Sequence, residues 1–450
     1  MIGLTLVTLD FFIVNVALPD IQRQLQTSSG TVEWLVAGYG LTFAAFLIAG
    51  GQLASRIGHR RVLAIGIVVF AVASLACGLA SSAELLIGAR LLQGTGAALV
   101  SPTVITIIGT TYQADDRRRA LGVYGVVLGL AAVCGQLIGG MLIKLDFFGL
   151  GWRSIFLINL PLAAVMLVLL PRTVPKSRAT GRRRIDVIGL LLLGLFLGTL
   201  LLPLVEGRQY GWPLWCWLSL LVSAICLAGL IAQQRRLSAA DGAPLFEPPA
   251  FSATTVRIGL VCMIIYVCNQ APLFLFLALF LQQGLAMSPI TSGLTFSALA
   301  VGYLATSMRA PQLLHRFGRR VLFVAVGLLT GGYLLMAAVL LGADGNVYAL
   351  IPALLIVGLG QGIGLNSLTP LIVSGTEIAH VGAVSAVLAT VQQVGSAVGV
   401  AVIGLVFFGL IDHGFSVALA GVVLCLAALM LVMALLIRRL PSHTPDRVRG

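Results

Sequence analysis

Two charged side chains stand inside long apolar stretches of this 450-residue sequence, Asp10 and Arg90. Asp10 interrupts the otherwise apolar opening from Met1 to Pro19, and Arg90 adjoins the charge-free run 91–114. An ionisable residue at the centre of a bilayer costs at least about 2.5–3.5 kcal/mol on insertion scales, so its retention points to a function. Burial and a neighbouring cation act in opposite senses on a carboxyl group's hold on its proton. An acid that meets water from alternate sides can therefore take up and release a proton in each cycle. The plainer alternative makes Asp10 a helix cap or a neutral, hydrogen-bonded acid. Arg90 lies at a depth comparable with Asp10, and the two are expected to meet directly or through water and Gln93. The alternative there is an arginine that snorkels to the interface or binds backbone carbonyls. The remaining acids, Glu33, Glu84, Asp186, Glu377 and Asp412 among them, read as lying at loops or span edges.

The elements that must carry these groups follow from composition. The chain is 59% hydrophobic and 10% charged, where a soluble protein needs about 25% charged residues. With a mean hydropathy of +1.06, this excludes a soluble enzyme, a disordered regulator and a disulfide-stapled secreted module. A span needs about 20 apolar residues. Charge-free runs occupy 34–55, 62–83, 91–114, 120–143, 154–171, 187–205, 209–234, 321–343, 345–376, 378–411 and 413–437. The run 258–308 is too long for one helix and breaks near Gln282-Gln283-Gly284 and Ser288-Pro289, giving two more. The opening stretch makes fourteen; it lacks the basic region and cleavage site of a signal peptide and is read as a helix.

The net charge of +13 need not mean nucleic acid. With the N-terminus inside, 23 of the Lys and Arg residues fall in inner loops and four (Arg23, Lys144, Arg153, Arg208) in outer ones. That bias places both termini in the cytoplasm. The seven cysteines all fall within spans without metal-ligand spacing, and read as small packing residues.

An internal repeat organises the spans. Arg56-x-Gly58-x-Arg60 recurs as Arg316-x-Gly318-x-Arg320, and Gly122, Gly135 and Gly139 recur as Gly382, Gly395 and Gly399, each 260 residues later. Gln93-Gly94-x-Gly96 with Pro102 recurs as Gln361-Gly362-x-Gly364 with Pro370, 268 residues later. Two parallel six-helix halves around a midplane site are the plan of the major facilitator fold, in which one half rocks against the other. The expected fold is an all-α polytopic membrane protein of two six-helix bundles plus two inserted helices. Its boundaries read as a first bundle over 1–171, a basic linker over 172–184, the inserted helices over 185–235, a cytoplasmic loop over 236–254, a second bundle over 255–438 and a tail over 439–450.

The motifs carry a sharper resemblance. Leu9-Asp10-Phe11-Phe12-Ile13-Val14-Asn15-Val16-Ala17-Leu18-Pro19 resembles the first-helix motif of the fourteen-span drug:proton antiporter family of the major facilitator superfamily. Trp34 and Tyr39 fit its second helix. Gly51-Gln52-Leu53 through Arg56-x-Gly58-x-Arg60-Arg61 resembles the superfamily's signature loop, and Arg90-Leu91-Leu92-Gln93-Gly94-x-Gly96 its fourth-helix motif. Trp152-Arg153-Ser154-Ile155-Phe156-Leu157-Ile158-Asn159-Leu160-Pro161 resembles the entry to helix six in the same family.

This resemblance implies a multidrug efflux transporter of the bacterial inner membrane, monomeric, without a cofactor and driven by the proton gradient. Asp10 and Arg90 would couple protons. In the signature loop, Gly51 and Gly58 would allow close approach and a tight turn, while Arg56, Arg60 and Arg61 would bind helix C-termini and acids across the halves. The family's acid is Ser55 here, which weakens that latch or moves it to Asp115 or Asp116. The pairs Gly125/Gly129 and Gly135/Gly139 present small residues for close packing, alone or as part of the exporters' antiporter motif. That motif's proline is Gln136 here.

Neutral polar side chains in lipid face other helices or a cavity. Asn15, Tyr39, Gln93, Tyr124 and Gln136 in the first half, and Asn269, Gln270, Gln361, Asn366, Gln392 and Gln393 in the second, form the expected cavity lining, about half of them serving packing instead. Amides, aromatics and one acid suit an amphipathic, lipophilic compound, neutral or singly cationic. Other readings are an importer, facilitator or proton symporter of a metabolite on the same fold, an uncoupled receptor, and a membrane enzyme. Both lysines follow residues other than glycine, which excludes a Walker A loop. All five histidines lie in or beside loops, away from any catalytic constellation within a span.

Overall fold

The computed structural model describes residues 2–111, 127, 131, 134–146, 149–174, 186–207, 210–239, 245, 253–342, 347–376 and 381–440, and all regular structure among them is helical. In the first half α1 is Ile2–Gln24, α2 Ser29–Ile57, α3 His59–Gly78 and α4 Ala83–Thr111. The helix α5 is described over Cys134–Leu145, and α6, Gly151–Thr173, opens with a 3-10 turn. Next come α7 (Val187–Glu206) and α8 (Leu214–Ala239). The second half holds α9 (Thr254–Leu279), α10 (Pro289–Ser307), α11 (Arg320–Gly342), α12 (Ile351–Ser374), α13 (Val381–Leu410) and α14 (Phe415–Ile437), with a short helix Ala310–Phe317 before α11. Twelve helices among the described residues are long and apolar enough to cross a membrane, namely all but α4 and α5 of these fourteen.

The break expected near Gln282 is real. The α9 helix runs into a π turn, Phe280–Gly284, and α10 starts at Pro289 under a cap from Ser288, whose hydroxyl accepts from Thr291 N at 3.3 Å. Ser28 caps α2 in the same way through Thr31 N at 3.4 Å. The residue pairs are again 260 apart, a match the motifs had not included. The repeat also appears in the backbone. Gly58 ends α2 at φ 98°, and Gly318 ends the short helix of the second half at φ 55°, both in the region where a side chain is strained.

Without water to drive helices together in lipid, small residues and interhelical hydrogen bonds do much of the work. In each half the second and third helices pack on the fourth: α2 and α3 on α4, α10 and α11 on α12. A Cβ on Gly94 would meet Thr42 Oγ1 at 2.3 Å and Tyr39 O at 2.4 Å; on Gly362 it would meet Thr306 Oγ1 and Tyr303 O at the same two distances. Thr42 donates to Leu91 O (2.7 Å) and Thr306 to Leu359 O (2.9 Å). The sequence repeat is thus a repeated helix contact.

The halves join where α2 packs on α13, and again near the face where α1 ends and α2 begins, here the far face. Gln282 donates to Val16 O (3.0 Å) and Gln283 to Gln22 Oε1 (2.9 Å). Backbones of α5 and α10 meet where a Cβ on Gly140 would lie 2.5 Å from Pro289 O. Below them Phe12 stacks obliquely on Phe274 at 5.1 Å.

The pair α7–α8 lies outside the repeat, with α7 against α2 and α13. Asp186 caps α7, accepting from Gly189 N (2.8 Å), Gln233 Nε2 (3.0 Å) and Gln234 Nε2 (2.7 Å), which ties the start of α7 to the end of α8. The expected linker at 172–184 and loop at 236–254 fall mostly outside the described residues, as does the tail beyond Leu440.

Candidate functional site

The polar centre of the first half is built from four helices. Asp10 comes from α1, Arg90 and Gln93 from one face of α4, three residues apart, Ser74 from α3 and Asn159 from α6. Arg90 Nη1 donates to Asp10 Oδ2 at 2.6 Å, and both residues are 0% exposed. Asp10 Oδ1 accepts from Gln93 Nε2 and from Asn159 Nδ2, each at 2.7 Å. Gln93 returns its carbonyl oxygen to Arg90 Nη1 (2.7 Å) and donates to Ser74 Oγ (2.8 Å), which Asn159 Nδ2 also approaches at 3.3 Å. Arg90 Nε donates to Leu35 O at 3.0 Å, and its guanidinium carbon lies 4.3 Å from the centre of the Tyr39 ring.

This is a fully desolvated ion pair, which survives burial only when hydrogen bonds satisfy what the two charges leave over. Here both carboxylate oxygens are bonded and three guanidinium contacts are made. Arg90 Nη2 and Tyr39 Oη have no hydrogen-bond partner among the described residues.

The sequence pointed to Asp10, Arg90, Gln93 and Tyr39. Asn159 and Ser74 had not been singled out as site residues. Asn159 stood inside the helix-six motif, an amide in an apolar run, and that was the available signal; Ser74 gave none. Cys77 is more than packing, since its thiol lies 3.7 Å from Gln93 Oε1 as a donor. Glu33 stands at a span edge, as expected, but is not exposed there. It lies within α2 and is 2% exposed at the seam with α13, where a Cβ on Gly404 would fall 2.8 Å from its Oε2.

Several other expected cavity residues bond locally through one atom, while Asn15 Oδ1, Gln136 Oε1 and Gln393 Oε1 have no hydrogen-bond partner among the described residues. Asn15 Nδ2 donates to Phe12 O at 3.3 Å, and Gln136 Nε2, from α5, to the same oxygen at 3.1 Å. Asn366 donates to Gly362 O (2.9 Å) and Gln392 to Met263 Sδ (3.7 Å); Gln270 and Gln393 are half-buried. Gly135 and Gly139 press α5 onto α1, with hypothetical Cβ atoms 3.2 Å from Leu9 O and 2.8 Å from Ile13 Cγ1. Tyr124, Gly125 and Gly129 lie outside the described residues.

In the signature loop Gly58 makes the tight turn, but Gly51 does not allow a close approach: nothing lies within 4 Å of its Cβ position, so the space is open. The described ion pairs are Arg90–Asp10 and Arg23–Asp20, so Arg56, Arg60 and Arg61 join no acid among the described residues. Asp115 and Asp116 are not among these.

The second half carries a neutral counterpart. Asn269 stands 259 residues after Asp10, Tyr333 259 after Ser74, and Gln361 268 after Gln93. The Tyr333 hydroxyl donates to Asn269 Oδ1, Asn269 Nδ2 to Leu426 O (3.1 Å), and the Tyr266 hydroxyl to Gln361 O (2.7 Å). Amide and phenol replace acid and guanidinium.

Known proteins resemble the chain over most of its length. The Major Facilitator Superfamily profile matches residues 1–184, 176–400 and 258–450. The chain is 35% identical to the probable actinorhodin transporter of Streptomyces coelicolor over 406 residues, 90% of this chain and 70% of that one. It is 32% identical to the methylenomycin A resistance protein of Bacillus subtilis over 440 residues, 95% of this chain and 91% of that one. Its fold resembles that of the xylose transporter XylE from E. coli in a partially occluded inward-open conformation, with a TM-score of 0.65 at 15% identity, covering 98% of this chain and 96% of that one. With its repeated helix contacts and multi-pass architecture, this chain belongs to the Major Facilitator Superfamily.

Proposed function

We propose that this transporter is a proton-coupled exporter of amphipathic, lipophilic compounds, working by alternating access. The observation that carries the reading is the dry Asp10–Arg90 pair braced by Gln93 and Asn159. The names of its relatives, a probable actinorhodin transporter and a methylenomycin A resistance protein, support the cargo class. The fourteen-span subfamily is part of this reading: it adds α4 and α5, the latter described over Cys134–Leu145, to the twelve long apolar helices. The basic loops support cytoplasmic termini, so the far face is periplasmic or extracellular and the described conformation is closed on that side.

In the cycle the compound binds from the cytoplasm or inner leaflet. A proton from outside reaches Asp10 when the far face opens, dissolves its pairing with Arg90 and favours release. The proton leaves inward on return. Such coupling requires that proton affinity differ between the two conformations. Arg90 Nη2 and Tyr39 Oη are the groups through which a polar atom of the cargo would compete for the pair.

The test is Asp10→Asn in proteoliposomes loaded with a fluorescent lipophilic dye. An imposed pH gradient should drive efflux by the parent chain and leave the variant at the rate of empty vesicles, while dye affinity stays within about threefold. Gradient-independent equilibration by the parent chain would favour the facilitator reading instead.

A further inference from the structure

The inserted pair α7–α8 has no partner in the repeat, yet its position is specific. The α7 helix packs on α2 of the first half and on α13 of the second, and so lies over the seam between them. Leu201 and Val205 of α7 share one buried cluster with Ala37 of α2 and with Ala397 and Ala401 of α13. The two sides differ in kind. To α2 there is a hydrogen bond, from Trp34 Nε1 to Glu206 Oε1 at 2.9 Å. Among the described residues no hydrogen bond joins α7 to α13; the contact is methyl groups on small side chains. The outer helix α8 is held to α7 by Ser219 donating to Thr199 O (2.8 Å) and Ser223 to Phe196 O (3.0 Å). Its other side shows Leu218, Leu221 and Ile225 to the surroundings.

The Trp34–Glu206 bond ties the outer end of α7 to α2 by a directional contact that the α13 side lacks. The contact of Leu201 and Val205 with Ala397 and Ala401 is apolar and has no directional bond that a displacement along α13 would break. We propose that α7–α8 is a lateral seal carried by the first half. It travels with α2, slides over α13 as the halves rock, and bars lipids and lipophilic compounds from entering the cavity along that seam. The proposal rests on rocking between halves and not on which ion drives it.

The experiment uses the full chain with its seven cysteines replaced, carrying either Ala37→Cys with Leu201→Cys or Leu201→Cys with Ala401→Cys. Oxidation links α7 to α2 in the first and α7 to α13 in the second. Dye export should keep at least about half its rate with the first link and fall about tenfold with the second, recovering on reduction. Arrest by the first link, or free export with the second, would overturn the seal. Spin labels at Leu202→Cys with Phe46→Cys, and at Leu202→Cys with Val402→Cys, decide the matter without any transport. Between dye-free and dye-saturated samples the first distance should stay fixed and the second shift; any other pattern overturns the proposal. A chain that exports nothing even before oxidation would count against the exporter reading alone.

Discussion

At the scale of single residues, the centre depends on geometry as much as on charge. Lysine at position 90 would keep the positive charge but lose the planar fork that reaches Asp10, Gln93 and the Leu35 carbonyl together. Arg90→Lys is expected to lower gradient-driven export at least tenfold, measured in the same proteoliposomes. Asn159→Leu removes a donor from a buried carboxylate, and hydrogen bonds to charged groups contribute about 1.5–3 kcal/mol. Its unfolding in detergent should therefore start at a clearly lower temperature, with Asn159→Ser intermediate. Asp10 and Arg90 were legible in the sequence because a charge in an apolar run has no cheap explanation. Asn159 and Ser74 were not, because an amide or hydroxyl within a span can bond to its own helix, as Asn15 does with Phe12 O. The burial of Glu33 was not legible, because proximity to a helix start does not say whether another helix covers it.

At the scale of elements, the repeat was readable from spacing, and its physical content is the tight crossing of second on fourth helix. A methyl group on Gly94 or Gly362 meets a threonine hydroxyl and a carbonyl oxygen inside contact distance, and overpacking of this kind costs about 1–3 kcal/mol. Gly94→Ala and Gly362→Ala are each expected to lower the melting temperature, by similar amounts. Gly88→Ala and Gly327→Ala, where nothing lies within 4 Å, should leave it unchanged or raise it, since glycine within a helix is about 0.5–1 kcal/mol worse than alanine. Static light scattering on heating checks all four. The matching caps Ser28 and Ser288 were equally available in the sequence but lacked a glycine or arginine to draw notice. The site of the inserted pair was not available at all: no charge or motif in α7 says that it will settle against both α2 and α13.

At the scale of the whole molecule, the halves share a scaffold and differ in what they bury. Replacing Asn269 with Asp would place a carboxylate at the position matching Asp10, but the residue matching Arg90 is Gly358, with Leu299 O already 2.0 Å from where its Cβ would stand. No guanidinium can be added there. Asn269→Asp is therefore expected to cut the yield of folded protein severalfold in size-exclusion profiles, at an insertion cost of about 2.5–3.5 kcal/mol or more. Division of labour has an electrical side as well. Work done on a unit charge crossing the membrane potential is about 2.3 kcal/mol per 100 mV, and the second half, whose buried centre is amide and phenol, carries no such charge through the field. Trading one proton for a neutral compound would then generate current and draw on voltage, whereas trading it for a monovalent cation would be electrically silent and draw on acidity alone.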